Sequence, residues 1–202
     1  MAHQDSEDSG SRPTRADAQR NIDALLKAAA AVFAASGVDA PVREVAARAG
    51  VGVATLYRHF PQRSDLIVAI VRREMDACAD AAEAFAREHR PGEALALWMQ
   101  RYVDFVTAKR GLAAALHSGD PAYEPLRAYF DQRLRPALRS LLDGAAAAGE
   151  IRADVEANEL LEAISGLCMS TKGADGLAAA RRMVALLADG LRCVPPPAKA
   201  SI

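Results

Sequence analysis

The chain has 202 residues, 51% hydrophobic, 25% charged and 5% aromatic, with a formal net charge of −1. That length can bury a real core and suits one or two domains, and an alanine-rich composition with few runs of β-branched residues favours helix almost throughout. The near-zero net charge excludes a strongly polyanionic or polycationic protein, yet its distribution is uneven: the stretch from Arg12 to Arg73 holds 10 Lys and Arg against 5 Asp and Glu, and the rest is acidic.

In chain order, residues 1–18 are polar and rich in Ser, Asp and Gly, and are expected to be a disordered tail without the apolar segment of a signal peptide. From Asn21 the pattern changes: Ile22, Leu25, Leu26, Ala29, Val32 and Phe33 recur at helical spacing, and SG at 36–37 supplies a stop. Pro41 can open a second helix, PVREVAARAG, with Val42, Val45 and Ala46 toward a core and Gly50 as its left-handed end. A third, short helix lies in AGVGVATLYRHFP at 49–61. Ser64 and Asp65 mark a fourth helix start, and Leu66, Ile67, Ile70, Val71, Met75 and Cys78 form one stripe running to about Arg87. HRPG at 89–92 ends it. Residues 93–108 are amphipathic through Leu95, Trp98, Met99, Tyr102, Phe105 and Val106. A short helix at 110–117 ends in SGDP, and a long one at 123–148 is expected to bend at Pro136. After the connector GEIRADV come helices at 155–171 and 176–193, stopped by the prolines at 195–197.

The expectation is an all-α chain of about nine helices: a three-helix unit, then a six-helix bundle. No apolar run approaches the roughly 18 residues of a membrane span. Cys78, Cys168 and Cys193 form no CxxC pair, so neither a disulfide scaffold nor a zinc site is indicated, and a reducing, cytoplasmic setting is expected.

The short third helix carries the functional signal. At 100° per residue Leu56 and Phe60 fall together, with Val53 and Tyr57 beside them, while Ala54, Thr55, Arg58 and His59 occupy the other side. Leu56 and Phe60 can be held on the first two helices, leaving donors, a cation and small residues outward, a set suited to phosphates and base edges. A helix, a turn containing glycine and a short second helix is the helix-turn-helix arrangement, whose second helix enters the major groove. Gly50 eases the turn, and Gly52 can act as N-cap of the short helix.

The run VREVAARAGVGVATLYRHFPQRSDL resembles the helix-turn-helix signature of the tetracycline-repressor (TetR/AcrR) family of bacterial regulators, from about Gln19 to Met75. The resemblance implies a disordered tail at 1–18, a DNA-binding domain at 19–77 with its motif at 41–60, a ligand-binding and dimerisation domain at 78–194, and a second tail at 195–202. It also implies roles. Tyr57 falls on the family's phosphate-contacting tyrosine, Arg58 and His59 on positions that touch backbone or bases, Thr55 on the usual threonine of the recognition helix, and Arg43 on a position that reaches the groove. Arg63 stands where the family has a phosphate-gripping lysine. Val42, Gly52 and Ala54 depart from the commoner Thr, Ser and Gly or Pro. Val53 and Ala54 therefore lead the recognition helix with nothing to donate, and a thymine-methyl contact or little base readout is expected there. Arg43, Thr55 and His59 each also fit a solvated or capping role.

For the bundle the resemblance implies a homodimer through the last two helices and a small-molecule cavity. Leu160, Leu161, Ile164, Leu167 and Cys168, with Met183, Val184, Leu187 and Leu191, form two apolar stripes that suit a four-helix interface or burial within one chain. Met75, Cys78, Trp98, Met99, Tyr102, Phe105, Leu116, His117, Tyr123 and Phe130 are candidates for the cavity or for ordinary core. With no charged pair inside the stripes, an apolar or aromatic effector is expected. The implied partners are a double-stranded DNA operator, a second copy of the chain and a small effector; no cofactor, metal or membrane is implied.

The implied function is sequence-specific repression of a palindromic operator, relieved by the effector. A DNA-binding dimer without an effector, controlled by a protein partner or by abundance, is the alternative. A helical-bundle enzyme is the third reading. Against it, the four histidines are scattered with no E-x-x-H pair, and GxSxG, HExxH, P-loop and GxGxxG motifs are absent.

Overall fold

The computed structural model describes residues 15–192 apart from 172 and 174. The expectations for residues 1–14, Cys193 and 195–202 lie outside the described residues. Helix α1 spans Arg15–Ser36, so its start reaches back into the segment expected to be disordered. Then come α2 (Val42–Ala49), α3 (Val53–His59), α4 (Arg63–Glu88), α5 (Pro91–Ala108), α6 (Ala113–Leu116), α7 (Pro125–Ala147), α8 (Ala157–Ser170) and α9 (Gly176–Leu191). Short 3₁₀ turns at Lys109–Leu112 and Pro121–Tyr123 flank α6, where the sequence suggested one continuous short helix. Among the described residues the fold is all-α, with a single isolated β-bridge, Ile151 to Arg192, tying the α7–α8 connector to the end of α9.

The first three helices form a unit because their apolar stripes meet. Leu25, Ala29 and Phe33 of α1, Val45 and Ala46 of α2, and Leu56 of α3 are all buried in it. Gly50 ends α2 at φ +70°, a conformation that costs a side chain with a Cβ, and Val51 N–H closes back on the Ala46 carbonyl at 3.0 Å. Gly52 then turns extended and caps α3. Pro41 sits one residue before α2, as its N-cap rather than inside it.

Helix α4 leaves this unit and becomes part of the bundle without a break. Its start is set by the Asp65 carboxylate, which accepts from the Gln62 N–H at 2.9 Å. Farther along it packs against α5 and α7. Its 26 residues form a rod of about 39 Å at 1.5 Å per residue. A polar latch holds α7 to it: Asp76 accepts from the Tyr129 hydroxyl (2.7 Å) and from Arg133 Nε (2.7 Å), Asp80 also accepts from Arg133, and Arg72 lies over the Tyr129 ring. Helix α7 continues through Pro136.

Candidate DNA-binding and ligand sites

On α2 and α3 the anchors and the outward residues separate as the helical wheel requires. Leu56 and Phe60 are buried, while Arg43, Val53, Ala54, Tyr57 and Arg58 are exposed. Tyr57, placed at the margin from its angle, is 49% exposed and stands out with Arg58, whereas Thr55 and His59 are half-buried. The side expected to be outermost is thus partly covered, and the free edge of α3 is carried by Val53, Ala54, Tyr57 and Arg58.

Arg63, expected to face a phosphate, has partners within the chain. It opens α4, but its guanidinium turns inward and donates to the carbonyls of Val38 and Ala40 (2.8 Å to Ala40) in the loop before α2, 6.0 Å above the Phe33 ring. Those carbonyls lie between helices and have no helical donor, so a long cation satisfies them better than water does at a half-covered site. The side chain therefore fastens the three-helix unit to α4. Arg63→Met should cost about 1.5–3 kcal/mol of stability, the value of charge-assisted hydrogen bonds to carbonyls. A melting curve checks this, and DNA binding by the folded variant should keep its salt dependence.

The cavity candidates divide in two. Met75, Cys78, Trp98, Met99 and Phe105 are buried in close-packed core and line neither of the two cavities between α5, α7 and α8, nor does the half-buried Tyr123. Trp98 is locked by its indole N–H on the Cys78 carbonyl (2.8 Å) and by stacking on Tyr102 with ring centres 5.5 Å apart. Burial pushes the Cys78 thiol up to about 12, which makes it a packing group rather than a reactive one. Tyr102, Leu116, His117 and Phe130 do come together, around a cavity of about 220 Å³ between α5, α6, α7 and α8. A second cavity of about 340 Å³ adjoins it across Tyr102, Phe130 and Ser165. The Tyr102 hydroxyl meets Ser165 Oγ at 3.0 Å.

Sequence reasoning missed Lys109, Arg110, Ser165 and Met169 in the lining of the smaller cavity. Lys109 follows Phe105 by four residues, so the signal was an aromatic stripe continuing into a cation on the same face. Its ammonium lies 3.9 Å from the centre of the Phe105 ring and 6.0 Å from that of Phe130. Burial lowers it to about 8, still charged at neutral pH.

The dimer stripes also need correction. Leu160, Leu161, Ile164, Cys168, Val184 and Leu191 are buried within the one chain, Leu167 and Leu187 are half-buried, and of that set Met183 alone is exposed. These side chains pack α8 onto α5 and α7 and α9 onto α5, which the apolar periodicity could not distinguish from packing onto a second copy. The exposed large apolar side chains of α8 and α9 are Met169, Leu177, Met183 and Leu186, with Leu186 66% exposed; Met183 and Leu186, three residues apart, share one side of α9. Among the described residues no helix is long and apolar enough to cross a membrane.

The pattern described as "Bacterial regulatory proteins, tetR family" matches residues 25–70, and "Transcriptional regulator SbtR-like, C-terminal domain" matches residues 90–193. The crystal structure of a TetR transcriptional regulator from Streptomyces coelicolor is 39% identical, covers 86% of this chain and 99% of that one, and superposes with a TM-score of 0.75. A TetR transcription regulatory protein from Mycobacterium vanbaalenii is 36% identical over 89% of this chain and 99% of its own, with a TM-score of 0.68. An HTH-type transcriptional regulator of Staphylococcus aureus is 35% identical over 63 residues, 31% of this chain; the match spans about a third (34%) of that relative's length. Two matched segments covering the three-helix unit and the bundle, and two whole-length structural relatives, lead to one conclusion: the chain belongs to the TetR family of bacterial transcriptional regulators and is a DNA-binding regulator, not an enzyme.

Proposed function

We propose that the protein is a ligand-responsive repressor that binds a palindromic operator as a homodimer and is released by a small, largely apolar effector. The DNA-binding part ends within α4 near residue 77, and the ligand-binding and dimerisation part follows. The observation that carries this reading is α4 itself: one rigid helix is clasped to the three-helix unit at its first residue and packed on the cavity-bearing bundle along the rest. A shift in the bundle must therefore re-aim α3. In a two-fold dimer the recognition helices have to lie about one DNA turn apart, roughly 34 Å, so a modest rotation of each α4 breaks the match. The effector acts only through its difference in affinity for the two arrangements.

Arg43, Val53, Ala54, Thr55, Tyr57, Arg58 and His59 form the proposed DNA face. Tyr57 and Arg58 carry most of it because they are exposed on the free edge of α3. A genome-wide footprint should return a palindrome, which then serves as the probe in gel-shift titrations. Tyr57→Phe should weaken binding to matched and mismatched sequences alike by about 0.5–1.5 kcal/mol, the value of one hydrogen bond to phosphate. Arg58→Ala should instead flatten the preference at one base pair of each half-site, by about 1–3 kcal/mol. Equal loss on all sequences for Arg58→Ala would reassign it to the backbone. A small compound that binds the bundle tightly yet leaves operator affinity unchanged would remove the effector from this reading.

The pairing surface proposed is the side of α9 that carries the exposed Met183 and Leu186, together with the exposed Met169 of α8. Exposed apolar side chains on the last two helices suit an isologous contact.

A further inference from the structure

We propose that the cavity between α5, α6, α7 and α8 takes an organic monocarboxylate, an apolar body with one anionic head, and that Lys109 is its counter-ion. The proposal rests on the ligand-responsive reading and names the chemical class that the reading leaves open. Three observations carry it. The lining contains two cations, Lys109 and Arg110, and no Asp or Glu. Among the described residues no carboxylate or other acceptor pairs with the Lys109 ammonium; what faces it is the aromatic pair Phe105 and Phe130. Acids on the surrounding helices are committed elsewhere, Glu74 to Arg101 (3.4 Å), Asp104 to Arg181 (2.6 Å) and Asp131 to Arg135 (2.8 Å), while Glu162 lines only the adjoining cavity.

A cation held in apolar surroundings without an anion is costly, and ring faces return only part of what water gave. Arg110 does not relieve it, because its guanidinium is spent on the Cys168 carbonyl and the Thr171 hydroxyl (3.1 Å) and brings a second positive charge to the same wall. An arriving carboxylate gains the Coulomb attraction of both cations in a poorly screened site. The remaining wall is mainly apolar, with Val106, Leu116, Phe130 and Met169 beside the polar tips of His117 and Ser165, so an inorganic anion would leave it empty while an aliphatic or aryl chain fills it. A neutral or cationic ligand of the same shape leaves Lys109 unpaired.

The test uses the full chain and a panel of four- to ten-carbon straight-chain and phenyl-substituted carboxylates, each beside its amide and its amine, with inorganic phosphate as the control. Binding is read by calorimetry and operator release by gel shift. At least one carboxylate should bind at least about tenfold more tightly than its amide, as expected for a charge-assisted contact. Lys109→Met should erase that preference, while Lys109→Arg keeps it. Lys109→Met should also melt no lower than the parent without ligand, because it removes an unpaired charge; that reading separates a lost ligand contact from a lost fold. The proposal fails if no carboxylate of the panel binds, if amide or amine binds as well as the acid, if phosphate competes equally, or if Lys109→Met retains the preference. Operator release by an amide or amine would overturn the anionic class and leave ligand-responsive repression standing. Carboxylate binding without operator release would do the reverse.

Discussion

Leu186→Glu is expected to yield folded monomers and to remove nearly all operator affinity. Leu186 is 66% exposed on the single chain, so the substitution should change monomer stability by no more than about 0.5 kcal/mol. On the proposed pairing face the same change buries a carboxylate, and does so twice in a two-fold contact, at about 3–5 kcal/mol for each uncompensated charge. A monomer reads one half-site only and forfeits the effective concentration that joins two heads, a loss of roughly 10²–10⁴ in affinity. Light scattering and gel shift together check this. Val184→Asp is the contrasting variant: Val184, two residues earlier and on the opposite side of α9, is fully buried, so it should unfold the chain rather than split a dimer. If Leu186→Glu stays dimeric, the pairing face lies elsewhere.

Gly111→Ala should damage both stability and signalling. Gly111 lies in the 3₁₀ turn Lys109–Leu112, which packs against α1. A Cβ there would stand 2.7 Å from the Phe33 carbonyl oxygen and 3.2 Å from Ala34 Cα. Both are backbone of a helix and neither can swing aside, so the turn and α1 must separate. Overpacking of this kind costs about 1–3 kcal/mol. Because that turn carries Lys109 on one side and bears on α1 on the other, the wedge should also lower operator affinity without any ligand, leaving less for an effector to release. Melting curves and operator titrations check the two parts separately; an unchanged operator affinity would mean that the contact only supports the fold.

Much of this was legible in the sequence for definite reasons. The α2–α3 unit was legible because its constraints are local: a glycine that must turn left-handed, an adjacent N-cap, and Leu56 and Phe60 four apart. The long helices were legible from their stripes. What failed needed a neighbour that the sequence does not name. The α8 and α9 stripes show that something apolar covers them, not whether it is α5 and α7 or a second copy. Arg63 announces a cation at a helix start but not the two open carbonyls before α2 that capture it. Trp98 and Met99 have the chemistry of a binding wall, yet stacking and close packing leave no space beside them. Lys109 hid in plain view because a lysine at a helix end is ordinarily solvated, and only the aromatic rings of α5 and α7 turn it inward.

Met169 belongs to two surfaces at once. It lines the smaller cavity, and it is 54% exposed on the apolar face of α8 and α9. If pairing covers that face, one side chain is a shared wall, and occupancy of the cavity and self-association become linked by mass action. The apparent effector affinity then depends on protein concentration, changing as the chain is diluted through its dimer dissociation constant. By the same reciprocity, an effector shifts that constant by an equal factor, so a cell holding few copies of this regulator would read a different effector threshold from one holding many.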